Sequence, residues 1–337
     1  MPVTWTTRGK RVRPAGVSGR GQIGQLRGIL LFVRVYVGVT DTDWYRFLSE
    51  HPDLTEVNFW NPSGRPLMSL EVGAPFIFKS RAAVGGRLVG GGYFNAFLRL
   101  ALSDAWRIFG PANGVPSLAA LRGRIAKYRR EDPSVMGDPE IGCTLLNNVG
   151  FLRAEDQPPA PESWGAGLVR GKSYEGVEAE SLVETTLRRI LTDRGMGPDS
   201  ILGPVFGADH LAPTRIGQRS FQALVLDAYH RRCAITGERI RPVLQAAHIF
   251  PVSDGGENRV DNALLLRSDV HTLFDQGYIS VDPAFKIRIS PRIRSEFNNG
   301  AEYYRLDGSV IDLPDRPVNR PNREFLEWHN DVRFLAS

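Results

Sequence analysis

The chain has 337 residues, 42% apolar and 23% charged, which suffices for two ordinary globular domains and excludes a disordered or collagen-like composition. Its longest apolar run, residues 29–39, is broken by Arg34 and too short to span a bilayer, and its two cysteines, Cys143 and Cys233, exclude a disulfide scaffold and a four-cysteine zinc site, pointing to a reducing, cytoplasmic setting. A pI of 9.3 and a net charge of +5 suggest an anionic partner, but Arg8, Lys10, Arg11, Arg13, Arg20 and Arg27 stand in residues 1–28 without one acid, so the rest is close to neutral.

Residues 1–28 are glycine-rich and lack apolar periodicity, the composition of a disordered basic extension. Three readings stay open: an arm that holds phosphates non-specifically, an extension without function, or an organelle transit peptide, against which Pro14 and the glycines from Gly16 to Gly24 argue. Residues 29–194 read as a first domain. A β-branched run at 31–39 predicts a buried strand, and Thr40 and Asp41 are cap candidates for a helix through Ser49. Short strands follow at 57–60, ended by the turn Asn61-Pro62-Ser63-Gly64, and at 76–79. In a strand at 87–93, the consecutive Gly90, Gly91 and Gly92 imply a bulge or a close backbone approach. Helices are expected over 95–109 and from a Ser117 cap to about Arg130, strands over 141–146 and within 164–174, and an amphipathic helix over 178–194. The mixture predicts an α+β domain with a curved, mainly antiparallel sheet or barrel and flanking helices.

Between residues 195 and 215 the helical period is lost among glycines and prolines, and the domain boundary is expected there, with a second domain over 216–337. That domain begins with a helix over 220–230 and the turn Cys233-Ala234-Ile235-Thr236-Gly237. A strand ends in Ala246-Ala247-His248-Ile249, a loop carries Asp254-Gly255-Gly256, and Asp261-Asn262-Ala263-Leu264-Leu265-Leu266 leads to Ser268-Asp269-Val270-His271 and Leu273-Phe274-Asp275. Two strands and a short helix capped by Ser268 thus converge His248, Asn262 and His271. His271 and Asp275 stand four apart, on one helix face. An imidazole and a carboxylate together suit a divalent cation, and carboxylate and water ligands suit magnesium or manganese. Hydrolysis of a phosphodiester needs a base, for which His248 is suited, and a cation, which His271 and Asp275 would hold; Asn262 would brace the loop, orient His248 or add an oxygen ligand.

These residues resemble the HNH endonuclease family, in the subgroup with an Ala-Ala-His-Ile strand and a His-x-Leu-Phe-Asp helix, over about residues 217–300. The resemblance implies a ββα-metal fold, double-stranded DNA as partner and catalysis by His248, Asn262 and His271. Many members have a metal-binding acid where this chain has Ala247, so Asp275, Asp254 or Asp261 would have to compensate. Zinc-bearing relatives pair two cysteines in a knuckle, whereas Cys233 is followed by Thr236, so no structural zinc is expected. His329 reads as structural. Arg231, Arg232, Arg239 and Arg241 form either a phosphate grip or a solvated basic face.

In the first domain, Val57-Asn58-Phe59-Trp60-Asn61-Pro62, Phe76-Ile77-Phe78-Lys79, Gly90-Gly91-Gly92-Tyr93-Phe94 and Val169-Arg170-Gly171-Lys172-Ser173-Tyr174 together resemble the amino-terminal domain of predicted restriction endonucleases, similar to the PUA-like SRA and EVE readers of modified bases. The resemblance implies a swung-out base stacked among rings such as Trp60, Tyr93, Phe94 and Tyr174, with Lys79 or Lys172 on a phosphate. The whole chain then reads as a modification-dependent restriction endonuclease of bacterial defence. Two alternatives stay open: an HNH enzyme of repair or mobile elements without preference for modified bases, and a modified-DNA binding protein whose nuclease centre has decayed. Cutting both strands with one site per chain favours a homodimer.

Overall fold

Continuous runs of buried residues at Val35–Val39 (β1) and Val57–Asn61 (β2), both in the computed structural model, mark two strands of a single large sheet. The structure describes residues 34–66, 70–165, 167, 168, 170–195 and 217–337. The basic extension 1–28 and nearly all of the 195–215 linker lie outside the described residues. Between β1 and β2 runs helix α1 (Thr42–Ser49), started by the Asp41 carboxylate, which accepts from the N–H groups of Asp43 and Trp44 as the sequence led one to expect.

The sheet is completed by Pro75–Lys79 (β3), Leu88–Ala101 (β4), Glu140–Phe151 (β5) and Gly171–Tyr174 (β6), in the order β2-β5-β4-β3-β1-β6. Only β1 and β3 pair in parallel. The two outer strands, β2 and β6, do not meet, so the fold is α+β with an open amino-terminal sheet, and the described residues contain no closed barrel. Helices Leu102–Phe109 (α2) and Leu118–Arg129 (α3) lie between β4 and β5. Gly176–Leu182 (α4) continues through a π-helical stretch, Val183–Arg188, into Arg189–Asp193 (α5).

One expected element is corrected. Residues 95–101, read as the start of a helix, extend β4: Asn95 sits where the register slips between Phe94 and Ala96, and the six residues from Ala96 to Ala101 each find a partner along β5, from Ala96 with Leu145 to Ala101 with Glu140. The burial of Leu98 and Leu100 around exposed Arg99 has the period of a strand, and the helix begins only at Leu102. The glycine run is explained by close approach within the protein itself. A Cβ at Gly90 would stand 2.4 Å from the Gly150 carbonyl oxygen and one at Gly91 2.6 Å from Leu187, and the register slips between Gly91 and Tyr93.

The carboxy-terminal part starts with Gln218–Ala228 (α6), followed by the hairpin Leu244–His248 (β7) and Ala263–Arg267 (β8) and the helix Ser268–Asp275 (α7). Ile279–Val281 (β9) and Ile287–Ile289 (β10) pair as a second hairpin. Short helices Arg292–Phe297 (α8), Ala301–Tyr304 (α9) and Arg323–Trp328 (α10) complete the fold. Ser268 is the first helical residue and gives no side-chain cap. Apolar packing is continuous from the sheet into this part, with Leu98, Ile108, Phe221 and Leu244 in one cluster. Polar ties cross the same boundary. Arg231 donates to the Arg99 carbonyl and pairs with Glu140, and Arg241 pairs with the buried Asp104 and with Asp138.

Candidate active site

β7 and β8 pair antiparallel with Ala247 opposite Leu264 and His248 opposite Ala263. Ala247 is fully buried, so the position where many HNH enzymes carry an acid faces the core here. His248, on the opposite face, lies flat against Phe221 of α6, with ring centroids 4.3 Å apart and planes 11° from parallel. Its Nε2–H donates to Asn258 Oδ1 at 2.9 Å, which leaves the lone pair of the neutral ring on Nδ1. Burial holds this imidazole below the ordinary histidine pKa of 6.5; the charge of His271 acts in the same direction, while Asn258 and Asp275 oppose it. The charges of His271 and Asp275 are lesser influences on His248 than its burial.

Asn262 is fully buried and serves as a brace. Its Oδ1 accepts from the Phe250 N–H at 2.8 Å, and its Nδ2 donates to the carbonyls of Phe250 and Glu257 at 2.9 and 3.0 Å. The Asn262 carbonyl also accepts from the Ile249 N–H. One side chain therefore pins both ends of the loop that follows His248. Of the three roles the sequence left open for it, bracing is the one its hydrogen bonds serve.

On α7, His271 Nδ1–H donates to Gln245 Oε1 at 2.8 Å, and Nε2 stands 3.3 Å from Asp275 Oδ2. With Nδ1 committed as donor, neutral His271 turns a lone pair toward a carboxylate oxygen. Two acceptors facing each other need a proton or a cation between them, and the outward hydrogen bond of the imidazole is the kind that fixes a metal-binding histidine. This donor set fits a hard divalent cation that keeps much of its water. Among the described residues no group of three or more histidine, cysteine, aspartate or glutamate side chains is gathered for a metal. Asp254 pairs with Arg333, and Asp261 is gripped by Arg259. Gln245 and His271 line a cleft of about 350 Å³ walled by Arg107 and Ile108 of α2 and by Gln218 and Gln222 of α6.

Gln245, Asn258 and Phe221 are the partners that sequence reasoning missed. Cys233 stabilises its turn, its Sγ accepting from the N–H groups of Thr236 and Arg267 at 3.3 Å. His329, as read from the sequence, is interior: Nε2–H donates to the Phe274 carbonyl, Ser280 bonds Nδ1, and the ring stacks on Phe274 at 3.8 Å.

The residues suggested for DNA in the first domain separate. Trp60 lines a cavity of about 390 Å³ together with Asp41, Trp44, Phe59, Arg81 and Tyr128. Its indole N–H donates to the Asn113 carbonyl, and its ring meets Tyr128 edge-on at 6.1 Å. Tyr128 was missed as well; it hydrogen-bonds Asp41, which also pairs with Arg81 and Arg124. Tyr93, Phe94 and Tyr174 are instead buried core rings and do not line this cavity, because their strand positions face the packed interior of the sheet. Lys79 is buried too, its Nζ donating to the Ser80 carbonyl and lying over Trp164, and Lys172 donates to Ser163 beside the Tyr174 ring. Arg231 is spent on Glu140 and the Arg99 carbonyl, and Arg232 pairs with Asp312.

No described helix is long and apolar enough to cross a membrane. A comparison with curated proteins finds no match. Among solved structures, the chain is similar to an ASCH protein from Zymomonas mobilis, with 10% identity over 45% of this chain and 94% of that one and a TM-score of 0.32. It is similar also to the modification-dependent TagI restriction endonuclease, with 14% identity over 82% of this chain and 75% of that one and a TM-score of 0.25. Residues 233–282, a span that includes the hairpin and helix carrying His248, Asn262 and His271, match the model of the HNH endonuclease family.

Proposed function

We propose that this chain is a modification-dependent DNA endonuclease in which His248 is the general base. The observation that carries the reading is the ring of His248 at the end of β7, kept neutral by burial, with Nδ1 free of the Asn258 bond and with His271 and Asp275 acting on its charge. Nδ1 takes the proton of the attacking water. The water oxygen bonds to phosphorus as the bond to the leaving oxygen breaks, and that oxygen is protonated from solvent. Asn262 keeps the loop after His248 in one shape, and Gln245 keeps His271 in one tautomer. A divalent cation, magnesium or manganese, held by His271 Nε2 and the Asp275 carboxylate would supply the positive charge that neutralises the phosphate oxygens.

The first domain, about residues 29–194, selects the substrate in this reading, and the module at 216–337 cuts it. The cavity beside Trp60 supports it: concave, walled by the rings of Trp44, Phe59, Trp60 and Tyr128 and edged by Arg81, Arg129 and Arg170, it suits a base swung out of the duplex with its phosphate near the guanidinium groups. One active centre per chain favours a homodimer for cutting both strands. Parallel digestion of unmodified, methylated, hydroxymethylated and phosphorothioated DNA, with and without chelator, tests the proposal. Cutting confined to one modified substrate, abolished by chelator and spread to unmodified DNA or lost in Trp60→Ala, is the expected result. Equal cutting of all four substrates would leave a nuclease without modified-base selection.

A further inference from the structure

The nuclease element is built onto a residue of the other half of the chain. Glu56 directly precedes β2, the strand that brings Trp60 to the cavity, and it is only 8% exposed. Its carboxylate reaches the start of α6, far along the sequence. Oε2 accepts from the Arg219 N–H at 3.0 Å and Oε1 from the Ser220 N–H. α6 has no side-chain cap of its own, since its N-cap residue is Gly217. A Cβ at Gly217 would stand 2.4 Å from Glu56 Cδ and 2.4 Å from Oε2. Glycine there leaves the room that the carboxylate fills, and a negative group at a helix start is matched to the helix dipole and to its unpaired N–H groups.

The next residue on α6 is Phe221, whose ring is fully buried and carries the His248 imidazole. The chain of contacts therefore runs from Glu56 through two consecutive backbone N–H groups to Phe221 and on to His248. A shift or rotation of the first turn of α6 moves the surface on which His248 rests and the degree to which that ring is covered from water. We propose that Glu56 is a positioning residue of the nuclease: by fixing the first turn of α6 it sets the placement of His248 through Phe221. The proposal rests on the reading of His248 as the general base.

The test uses the full chain and the modified DNA that it cuts. Native protein, Glu56→Gln, Phe221→Leu, the double variant and His248→Ala are compared for melting temperature, DNA affinity, KM, kcat and the pH dependence of kcat. Glu56→Gln is expected to fold and to bind DNA within about twofold of native affinity, while kcat falls by about tenfold to a hundredfold, the range in which small misplacements of reacting groups act. Its acidic limb moves to higher pH as the imidazole loses cover. The double variant loses less than the product of the two single losses, because both act through one contact. Should Glu56→Gln not fold, Gly217→Ala, whose methyl group displaces the carboxylate, is read in the same way. A native kcat and acidic limb in Glu56→Gln beside a dead His248→Ala would remove Glu56 alone. Failure of both Glu56→Gln and Gly217→Ala to fold would assign Glu56 to stability and overturn the proposal. A native chain that cuts nothing, or a His248→Ala that cuts normally, removes the reading of His248 and the positioning role with it.

Discussion

His248 lies face to face on Phe221, centroids 4.3 Å apart, so the imidazole that faces the phosphodiester in the proposed reaction is covered on one side by a phenyl ring from a preceding helix. Burial is the largest cause of its lowered pKa. Replacing Phe221 by Leu thins that cover and raises the value toward the ordinary 6.5. Because the base must be neutral, cleavage is present above its pKa and lost as pH falls through it. The acidic limb of kcat therefore shifts upward in Phe221→Leu, and proton NMR of the His248 ring follows the same titration. An unchanged limb in a folded variant would contradict the role given to the stack. Stability falls on the order of 1 kcal/mol from the smaller core side chain.

Asn262 offers a separable effect. Asn262→Ala removes one acceptor and two donor interactions from a buried site and leaves the Phe250 N–H and the carbonyls of Phe250 and Glu257 without their partner. A loss of roughly 2–4 kcal/mol of stability is expected, measured by urea unfolding, with cleavage reduced and apparent metal affinity unchanged. A large loss of metal affinity would instead make the amide a ligand.

The division between what was legible in the chain and what was not follows from where the information resides. His248, Asn262 and His271 stand out in the sequence because a hairpin and one helix turn carry them within 24 residues. Gln245 and Asn258 were not, since a polar strand residue and an asparagine in a glycine-rich loop are ordinary there, and only the folded hairpin aims them at the two imidazoles. Phe221 and Glu56 come from other elements, and nothing local announces a ring beneath a histidine or a carboxylate above a helix brought in from 163 residues away. Residues 95–101 were misread as helix for the same reason: their apolar spacing allows either structure, and β5 decides. In the first domain, Trp60 was separated from Tyr93, Phe94 and Tyr174 only by burial, which alternation along a strand sets but does not label as core or cavity.

His329 predicts a pH dependence of stability that is independent of catalysis. Its interior position lowers its pKa from 6.5 to about 4, with burial as the main cause and the Phe274 hydrogen bond opposing. The folded value lies below the unfolded one, so the unfolded chain binds more protons in that window. Stability from this residue is complete above pH 6.5 and declines as pH falls toward 4, by on the order of 3 kcal/mol in total. Thermal unfolding at intervals across that range shows a slope that His329→Gln flattens. An equal slope in the variant would assign the dependence to other groups.

The facing acceptors of His271 and Asp275 lead to a metal prediction. Asp275→Asn weakens apparent affinity for manganese, followed by its paramagnetic relaxation of water, and Gln245→Leu weakens it about tenfold to a hundredfold by freeing the His271 tautomer. Neither variant should alter the melting temperature in chelator by more than a few degrees, since both side chains contact solvent. Undiminished manganese binding in Asp275→Asn would take the carboxylate out of the ligand set.

The most direct measurement is single-turnover cleavage of modified DNA by native protein and by His248→Ala, each with excess magnesium or manganese and again with chelator, alongside a binding assay on the same DNA. The expected outcome is cutting by native protein only with the cation, none by His248→Ala under either condition, and equal DNA binding by both. Cleavage by His248→Ala at the native rate would contradict the central claim that this imidazole takes the proton of the attacking water.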